Sequence, residues 1–224
     1  MGSVFAIFYV IFPKKFNFTN GHHLAIASTL VKSISQDISL SIFSGLIFAF
    51  CGALIMISHD LGLTLIYTEF SKYGLFYIFY SFLIVLLMQD TYFYFLHRLL
   101  HRPKLFKWLH RGHHNSLQPT PWTSFAFDPF EAFIQSLFLV IIVFIVPLHY
   151  IVFFVLLTTM TIWSIINHLG FQLFYKFFKF QWITQWIIGS QHHLLHHQKF
   201  NVHYGLYFTF WDRLLNTQDV NYDS

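Results

Sequence analysis

Histidine is the residue type whose number and spacing point to chemistry in this chain. The 224 residues include 15 histidines, against nine acidic residues and 13 Lys and Arg. Most of the histidines fall into three patterns: His97-x-x-x-His101, His110-x-x-His113-His114 and His193-x-x-His196-His197, the last directly preceded by His192. Roughly 0.07 copies of H-x-x-H-H are expected by chance at this composition. The chain holds two, so composition alone does not explain them.

These patterns favour a metal site. Spacings of three and four residues place side chains on one face of a helix, and imidazole is the commonest neutral metal ligand. One zinc ion takes three or four ligands, so eight or more histidines fit two metal ions better. The chain has a single cysteine, Cys51, and lacks both H-E-x-x-H and the Glu-x-x-His pairs of carboxylate di-iron bundles. Nitrogen donors still suit iron, which predicts a di-iron, oxygen-activating centre with zinc as the alternative metal.

Three residues outside the three histidine patterns are also predicted to take part in the site. Asp90 precedes His97 by two helical turns, so its carboxylate is expected on the same helix face, where it could accept an imidazole N–H. Asn167 and His168 follow an apolar run whose helix should return to the histidine clusters. His168 is therefore predicted to be a ligand, and Asn167 to support the ligands.

The remaining candidates have competing interpretations. Asp212 either orients a histidine or forms an ion pair with the adjacent Arg213, and the ion pair is favoured. Four histidines lie outside the clusters and are interpreted as polar residues at helix ends: His22, His23, His59 and His149.

The elements that must position these residues are membrane helices. The chain is 56% hydrophobic, with 31 Phe, and only 10% charged, against about 25% charged residues in soluble domains. Apolar runs predict about four membrane helices, at residues 40–58, 73–96, 132–146 and 150–166. The last two are short and separated by Pro147, so they form either two short spans or a re-entrant pair. The apolar stretch Val4–Phe12 is too short to span and is interpreted as interfacial.

The predicted fold is therefore an all-α, multi-pass membrane bundle in a single domain over residues 1–224. A histidine-rich helical cap is expected over residues 97–131 and 167–217. If the helix entering His97 points to the cytoplasm, 12 of the 13 Lys and Arg lie on that side and only Lys72 on the other, as the positive-inside bias requires. The site is then cytoplasmic. The dispersed basic residues argue against nucleic-acid binding.

The histidine motifs also resemble those of a known family. The segments that carry the likeness are Asp90-Thr-Tyr-Phe-Tyr-Phe-Leu-His97-Arg-Leu-Leu-His101, Leu109-His-Arg-Gly-His-His114, Pro119-Thr-Pro-Trp122, Pro129-Phe-Glu131, His193-Leu-Leu-His-His197, Tyr204-Gly205 and Trp211-Asp212-Arg213. Together they resemble the fatty acid hydroxylase superfamily, which includes the sterol desaturases, over Asp90 to Thr217. The resemblance implies a membrane-bound, O2-dependent oxidoreductase with a histidine-ligated di-iron centre on the cytoplasmic side.

Carried onto matching positions, the family's ligands are nine histidines, with two more as candidates. The nine are His97, His101, His110, His113, His114, His168, His193, His196 and His197, and the two further candidates are His192 and His203. His203 stands where the family usually has Asn, so it either adds a ligand or replaces a hydrogen-bonding Asn. Asn216 stands where the family usually has Gly, and Asn is compatible with the same left-handed turn.

The resemblance implies removal of hydrogen from a C–H bond of a sterol, fatty acyl or related lipid taken from the bilayer. The sequence does not separate hydroxylation from desaturation, although the H-x-x-x-H first motif looks more like the sterol desaturase branch. The basic rim suits an acidic electron donor of the cytochrome b or ferredoxin type.

Other classes of protein remain open. The main alternative is a zinc-dependent membrane hydrolase; a metal transporter or a haem electron carrier is less favoured. An Ile-, Phe-, Lys- and Asn-rich composition favours a bacterial inner membrane, and the endoplasmic reticulum is expected if the source is eukaryotic.

Overall fold

The protein is mostly helical, as predicted. The computed structural model describes residues 23–169 and 185–220, with side chains described from Val31 onward. The predicted interfacial stretch Val4–Phe12, the side chains of His22 and His23, and residues 170–184 of the predicted cap lie outside this description.

The described helices are long in the first half of the chain and short around the histidine motifs. They are α1 (His23–Asp60), α2 (Gly74–Leu100), α3 (Pro103–Leu109), α4 (Arg111–His114), α5 (Pro129–Ile145), α6 (Tyr150–Asn167), α7 (Ser190–Lys199) and α8 (Phe210–Leu214), with a 3₁₀ helix at Pro121–Phe125 between α4 and α5.

Among the described residues, three helices are long and apolar enough to cross a membrane: Val31–Asp60, Gly74–Leu100 and Tyr150–Asn167. The fourth predicted span corresponds to α5, whose 17 residues fall short of the roughly 20 that a full crossing needs. Phe50, Phe76 and Phe154 on the three long helices are 61%, 82% and 62% exposed. Large apolar side chains that point outward along such helices indicate contact with lipid.

The helices pack around an apolar core at the end of the bundle away from the histidines. Ile55 of α1, Val85 of α2, Ile142 of α5 and Leu156 of α6 are buried there together. Two-residue strands β1 (Ile66–Tyr67) and β2 (Leu148–His149) pair in parallel and join the α1–α2 loop to the α5–α6 loop. These contacts fix the helices at one end and leave the other end to the cap.

His59 and His149 lie at this end, in the helix-end positions predicted for them. The Nδ1 atom of His149 accepts the N–H of Ile151 in the first turn of α6, and its Nε2 donates to the carbonyl of Thr68. His59 is in the last turn of α1 and contacts the Thr64 hydroxyl. Both histidines therefore serve the loops and are remote from the clusters.

Helix α2 extends beyond its predicted end at residue 96. It runs to Leu100, with His101 as its C-cap residue, because no helix-breaking residue occurs before Pro103. His97 therefore lies in the last turn of a membrane-length helix, whereas the sequence placed it at the start of the cap.

Candidate metal centre

Nine histidines gather into two groups at the end of the bundle opposite β1 and β2. Group one contains His97, His101, His110, His114 and His196, and group two contains His113, His168, His193 and His197. Within each group, the nitrogens that could bind a metal all lie within 4.8 Å of one another. The groups adjoin, since the rings of His114 and His197 are 4.5 Å apart between centroids. The structure thus brings together the nine histidines for which a ligand role was predicted.

Helical spacing explains why these side chains converge. His97 and His101 are one turn apart at the end of α2, and their ring centroids are 5.0 Å apart. His193 and His197 are one turn apart on α7, with centroids 4.7 Å apart. His168 directly follows α6. Each of these helices thus places its imidazoles on the side that faces the other histidines.

Five of the nine imidazoles are oriented by a hydrogen bond from Nδ1 to an oxygen of the protein. The acceptors, at 2.7 to 3.3 Å, are Tyr204 O for His97, Glu131 Oε2 for His110, Ala126 O for His113, Ser164 O for His168 and Val202 O for His196. A carbonyl oxygen only accepts, so Nδ1 must carry the proton and Nε2 presents its lone pair. Bonds of this kind commonly orient metal-binding histidines.

The remaining nitrogens are spaced as ligands of a shared ion would be. The Nε2 atoms of His97 and His110 are 3.1 Å apart, and those of His168 and His193 are 2.9 Å apart. Two imidazoles bound at right angles, at about 2.1 Å from one ion, would have nitrogens about 3.0 Å apart. The Nε2 atom of His101 is buried and has no hydrogen-bond partner among the residues that the structure describes, which also fits a metal ligand.

Burial keeps the imidazoles beyond the membrane helices neutral. It lowers the pKa of His101 to about 2, with a smaller contribution from the neighbouring His97, and it lowers the pKa of His168 to about 4. Burial also lowers the pKa of His113 and His193 well below the ordinary value of 6.5. Only a neutral imidazole has a lone pair to give to a metal ion, so the groups stay competent to bind metal over the physiological pH range.

Glu131 is a site residue to which the sequence analysis gave no role. It lies in the first turn of α5 and is 1% exposed. Its Oε2 is 2.8 Å from Nδ1 of His110, and its Oε1 accepts the amide N–H of Gln135 at 3.0 Å. The signals available in the sequence were its position at the start of an apolar helix and its place in the Pro129-Phe-Glu131 segment. Nothing in the sequence indicated that its partner is His110, 21 residues away.

Gly112 anchors the second histidine motif to the start of α5. Its N–H donates to Oδ2 of Asp128 at 2.8 Å. A Cβ atom at this position would lie 2.4 Å from Oδ1 of Asp128, so a side chain here would displace the carboxylate that accepts the N–H.

Asp90, Asn167 and Asp212 support the site indirectly, because they hold the loop of residues 204–208 through its backbone. The carboxylate of Asp90 accepts the N–H groups of Tyr207 and Phe208 at 2.7 and 3.2 Å, where the sequence led us to expect an imidazole N–H. The Asn167 amide donates to the carbonyl of Leu206 at 3.2 Å. Helical periodicity gave the correct face for Asp90, but a distant loop packs on that face.

The predicted ion pair of Asp212 with Arg213 is wrong. The Asp212 carboxylate accepts the N–H groups of Tyr204 and Gly205 at 2.8 and 2.9 Å and the hydroxyl of Thr217 at 2.7 Å. Arg213 turns away and donates to the carbonyl of Gln185. Asp212 therefore fixes Tyr204, whose carbonyl in turn receives Nδ1–H of His97.

A cavity leads from between the membrane helices to both histidine groups. Its lining includes side chains from α1, α2, α5 and α6. Its walls are mainly apolar and aromatic, and they include Phe48, Tyr92, Phe93, Phe125, Phe127, Phe138, Met160 and Leu206. Its inner end is formed by His97, His110, His113, His168 and His193. An apolar ligand in this cavity would lie against the nitrogens of both groups.

Comparison with known proteins places this architecture in a family. The family model described as fatty acid hydroxylase matches residues 82–217, which is more than half of the chain and includes all nine clustered histidines. The chain belongs to the fatty acid hydroxylase family. No solved structure matches it.

Among the relatives of this fatty acid hydroxylase family member are enzymes named for sterols. Human lathosterol oxidase is 42% identical over 142 residues, which cover 63% of this chain and 46% of the relative. A Delta(7)-sterol 5(6)-desaturase of Gibberella zeae is 29% identical over 205 residues, covering 92% of this chain and 60% of the relative. One from Schizosaccharomyces pombe is 35% identical over 152 residues, covering 68% and 44%. The chain thus spans about half the length of the curated relatives it matches.

The two additional ligand candidates of this family member lie outside both groups. His192 accepts the N–H of Gly189 on its Nδ1 at 3.1 Å, and His203 accepts the N–H of Asp219 on its Nε2 at 3.3 Å. Their rings contact each other, with centroids 4.9 Å apart. Both side chains thus bond to the backbone: His192 caps the start of α7, and His203 stabilises a turn.

The departures from the family pattern are accommodated by the backbone. His203 and Asn216 have φ of 55° and 53°, in the left-handed region. The turn expected at Asn216 is therefore present. Asn adopts this region more readily than most residues, and His is also enriched there.

Proposed function

We propose that this member of the fatty acid hydroxylase family is a membrane oxidoreductase that hydroxylates or desaturates a lipid with O2 at two histidine-bound iron ions. The observation that carries the proposal is the pair of adjoining, buried histidine groups at the inner end of an apolar cavity. The proposed ligands are His97, His101, His110, His114 and His196 for one ion and His113, His168, His193 and His197 for the other.

Bound iron, reduced by an external donor, would supply the O2-derived oxidant needed to remove hydrogen from an unactivated C–H bond. The protein holds and orients the imidazoles. The carbonyl of Tyr204 and the carboxylate of Glu131 fix the rings of His97 and His110 through Nδ1, so that Nε2 of each ring faces its group. The aromatic walls of the cavity exclude water from the same space.

The lining of the cavity favours a lipid from the bilayer as substrate. The cavity walls are formed by side chains of α1, α2, α5 and α6, including Phe48, Tyr92, Phe138 and Met160, and this mainly apolar, aromatic lining suits a lipid better than a polar ligand. The names of the relatives point to sterols. A sterol is therefore the first substrate class to test, followed by fatty acyl lipids.

An acidic electron donor would approach on the side of α3. All residues of this helix are at least partly exposed, and Arg102, Lys104, Lys107 and Arg111 are exposed basic residues in or beside it. Clustered positive charge steers an acidic partner, such as a cytochrome b-type or ferredoxin-type protein. We propose that this face is cytoplasmic, since Lys72 alone among the described Lys and Arg lies toward the opposite end.

The proposal is tested by expressing the chain in a host of known lipid composition and comparing lipid masses with those from a His113→Ala variant. A gain of one oxygen indicates hydroxylation, and a loss of two hydrogens indicates desaturation. The purified protein should carry about two iron ions per chain. Two zinc ions, with lipid turnover that persists without O2, would instead support a zinc-dependent hydrolase and overturn the proposal.

A further inference from the structure

Gln89 is a polar residue inside a membrane-length helix, where polar side chains are costly and often functional. It lies on α2, is 6% exposed, and lines the cavity that ends on the histidines. In an apolar environment, an amide needs partners for its carbonyl oxygen and for both of its N–H hydrogens. The partners of each amide group show which of its hydrogen-bonding positions could still bind a ligand.

The carbonyl side of the Gln89 amide is fixed. Its Oε1 accepts the hydroxyl hydrogen of Tyr207 at 2.8 Å. Tyr207 is itself held in place, because its backbone N–H donates to Asp90 on the same helix. The direction of the amide is therefore set by a buried chain of hydrogen bonds, and its nitrogen points the other way.

The nitrogen of the amide has donor capacity left over. Within residues 31–169 and 185–220, the one acceptor near Nε2 of Gln89 is the sulfur of Met160 at 3.2 Å. A thioether is a weak acceptor, and it can take only one of the two hydrogens. Met160 lines the same cavity, so this donor lies at its wall.

Another amide side chain that lines the cavity, that of Gln135, makes an informative contrast. Gln135 also lines the cavity, but its Nε2 donates to Oε1 of Glu131 at 3.0 Å. That carboxylate is a strong acceptor and contacts His110. Gln135 is thus committed to the metal centre, whereas Gln89 faces the apolar space with a poorly matched donor.

We infer that Gln89 is a specificity-determining residue, which donates a hydrogen bond from its Nε2 to a hydroxyl or carbonyl oxygen on an otherwise apolar lipid. The inference rests on the proposed function for the identity of the cavity as the lipid site. Sites that offer a buried polar group to a substrate oxygen reject analogues lacking that oxygen, because the protein group is then left unpaired.

The test is equilibrium binding to the full-length, iron-loaded protein in detergent or nanodiscs, with probes that differ in a single oxygen. Cholestanol carries a hydroxyl, cholestanone carries a ketone in its place, and cholestane carries neither. In the unmodified protein we expect one of the oxygenated probes to bind at least about tenfold tighter than cholestane. A Gln89→Met variant, similar in size but without the amide, should lose most of that ratio, with cholestane binding unchanged.

Comparing the ratio between the two proteins cancels differences in probe solubility. Met160→Leu is the matched control, since it removes the thioether but retains the apolar wall, and it should keep the preference for the oxygenated probe. Iron content and thermal midpoint identify any variant that fails to fold. If Gln89→Met fails to fold, Tyr207→Phe is used instead. It removes the hydrogen bond to the amide oxygen of Gln89 but leaves Nε2 in place, so it should lower the preference for the oxygenated probe by less than complete loss of the amide would.

Equal ratios in Gln89→Met and the unmodified protein would overturn the inference, as would equal binding of all three probes to the unmodified protein. Either result leaves the proposed function standing if iron is bound and lipids are oxidised. Loss of lipid oxidation in the unmodified protein would instead count against the proposed function.

Discussion

The two histidine groups differ in how many nitrogens they offer and in what they face. Group one has five histidines, of which His97 and His110 line the cavity; group two has four, of which His113, His168 and His193 line it. A six-coordinate metal ion would therefore have more open positions in group two. We expect O2 and the lipid to approach the ion in group two, and the ion in group one to be held more completely by the protein.

The groups also differ in how their imidazoles are oriented. Group one has the only contact between a clustered histidine and a carboxylate among the described residues, from His110 to Glu131. In group two the acceptors for Nδ1 are backbone carbonyls, those of Ala126 and Ser164. A carboxylate makes an imidazole a stronger donor to a metal. The comparison therefore predicts a tightly bound ion beside a more open one.

The largest expected effect comes from removing one ligand from each group. His193→Ala leaves three donors in group two, one fewer than His101→Ala leaves in group one, so we expect it to cause the larger loss of iron and to abolish lipid oxidation. His101→Ala leaves four donors in group one and should retain close to two iron ions with partial activity. Metal analysis of the two purified variants measures the contrast. Equal iron loss from both would show that the groups are equivalent.

Glu131→Gln should have the next largest effect. The amide oxygen can still accept from His110, but the negative charge is lost, and loss of such a partner typically costs about 10- to 100-fold in metal affinity or activity. Competition with a chelator measures the affinity. Gln135→Met is the control, since it removes a hydrogen bond to the same carboxylate but keeps its charge; it should have a smaller effect. If the two variants behave alike, the charge has no role in group one.

Asp212→Asn is expected to act on group one through the loop. The variant offers one oxygen where the carboxylate accepts from Tyr204, Gly205 and Thr217, so at least one buried donor loses its acceptor, at about 1–3 kcal/mol. The thermal midpoint in detergent should fall. Because the carbonyl of Tyr204 orients His97, iron should be lost from group one before group two. Preferential loss from group two would contradict the route through Tyr204.

The parts of this site that could be predicted are those set by local helical geometry. The spacing of His193 and His197 along one helix specifies a shared face, and no other part of the chain is needed to see it. The role of Asp90 was mispredicted because its partner, Tyr207, is 117 residues away. The same periodicity that correctly chose a helix face contains no information about which loop covers it.

The first membrane helix illustrates the same limit for the fold. An uncharged run predicted a span over residues 40–58, but α1 begins at His23 and includes Asp37, which is 1% exposed. That carboxylate accepts hydroxyl hydrogens from Ser116 and from Thr123 of the 3₁₀ helix, both in the connection between α4 and α5. A charge ended the apolar run in the sequence, yet a distant loop provides its partners, so the helix continues through it.

His203→Asn should have the smallest effect, and it tests whether the metal centre is confined to the two groups. Asn tolerates the left-handed φ of 55° at this position, and its side chain can still accept the N–H of Asp219, which His203 accepts on Nε2. We expect iron content to be unchanged and stability to shift by no more than about 0.5 kcal/mol. His203 contacts His192, and neither belongs to a group. A loss of iron from His203→Asn would therefore mean that the metal centre extends beyond the nine clustered histidines. The division into five and four ligands would then no longer describe it.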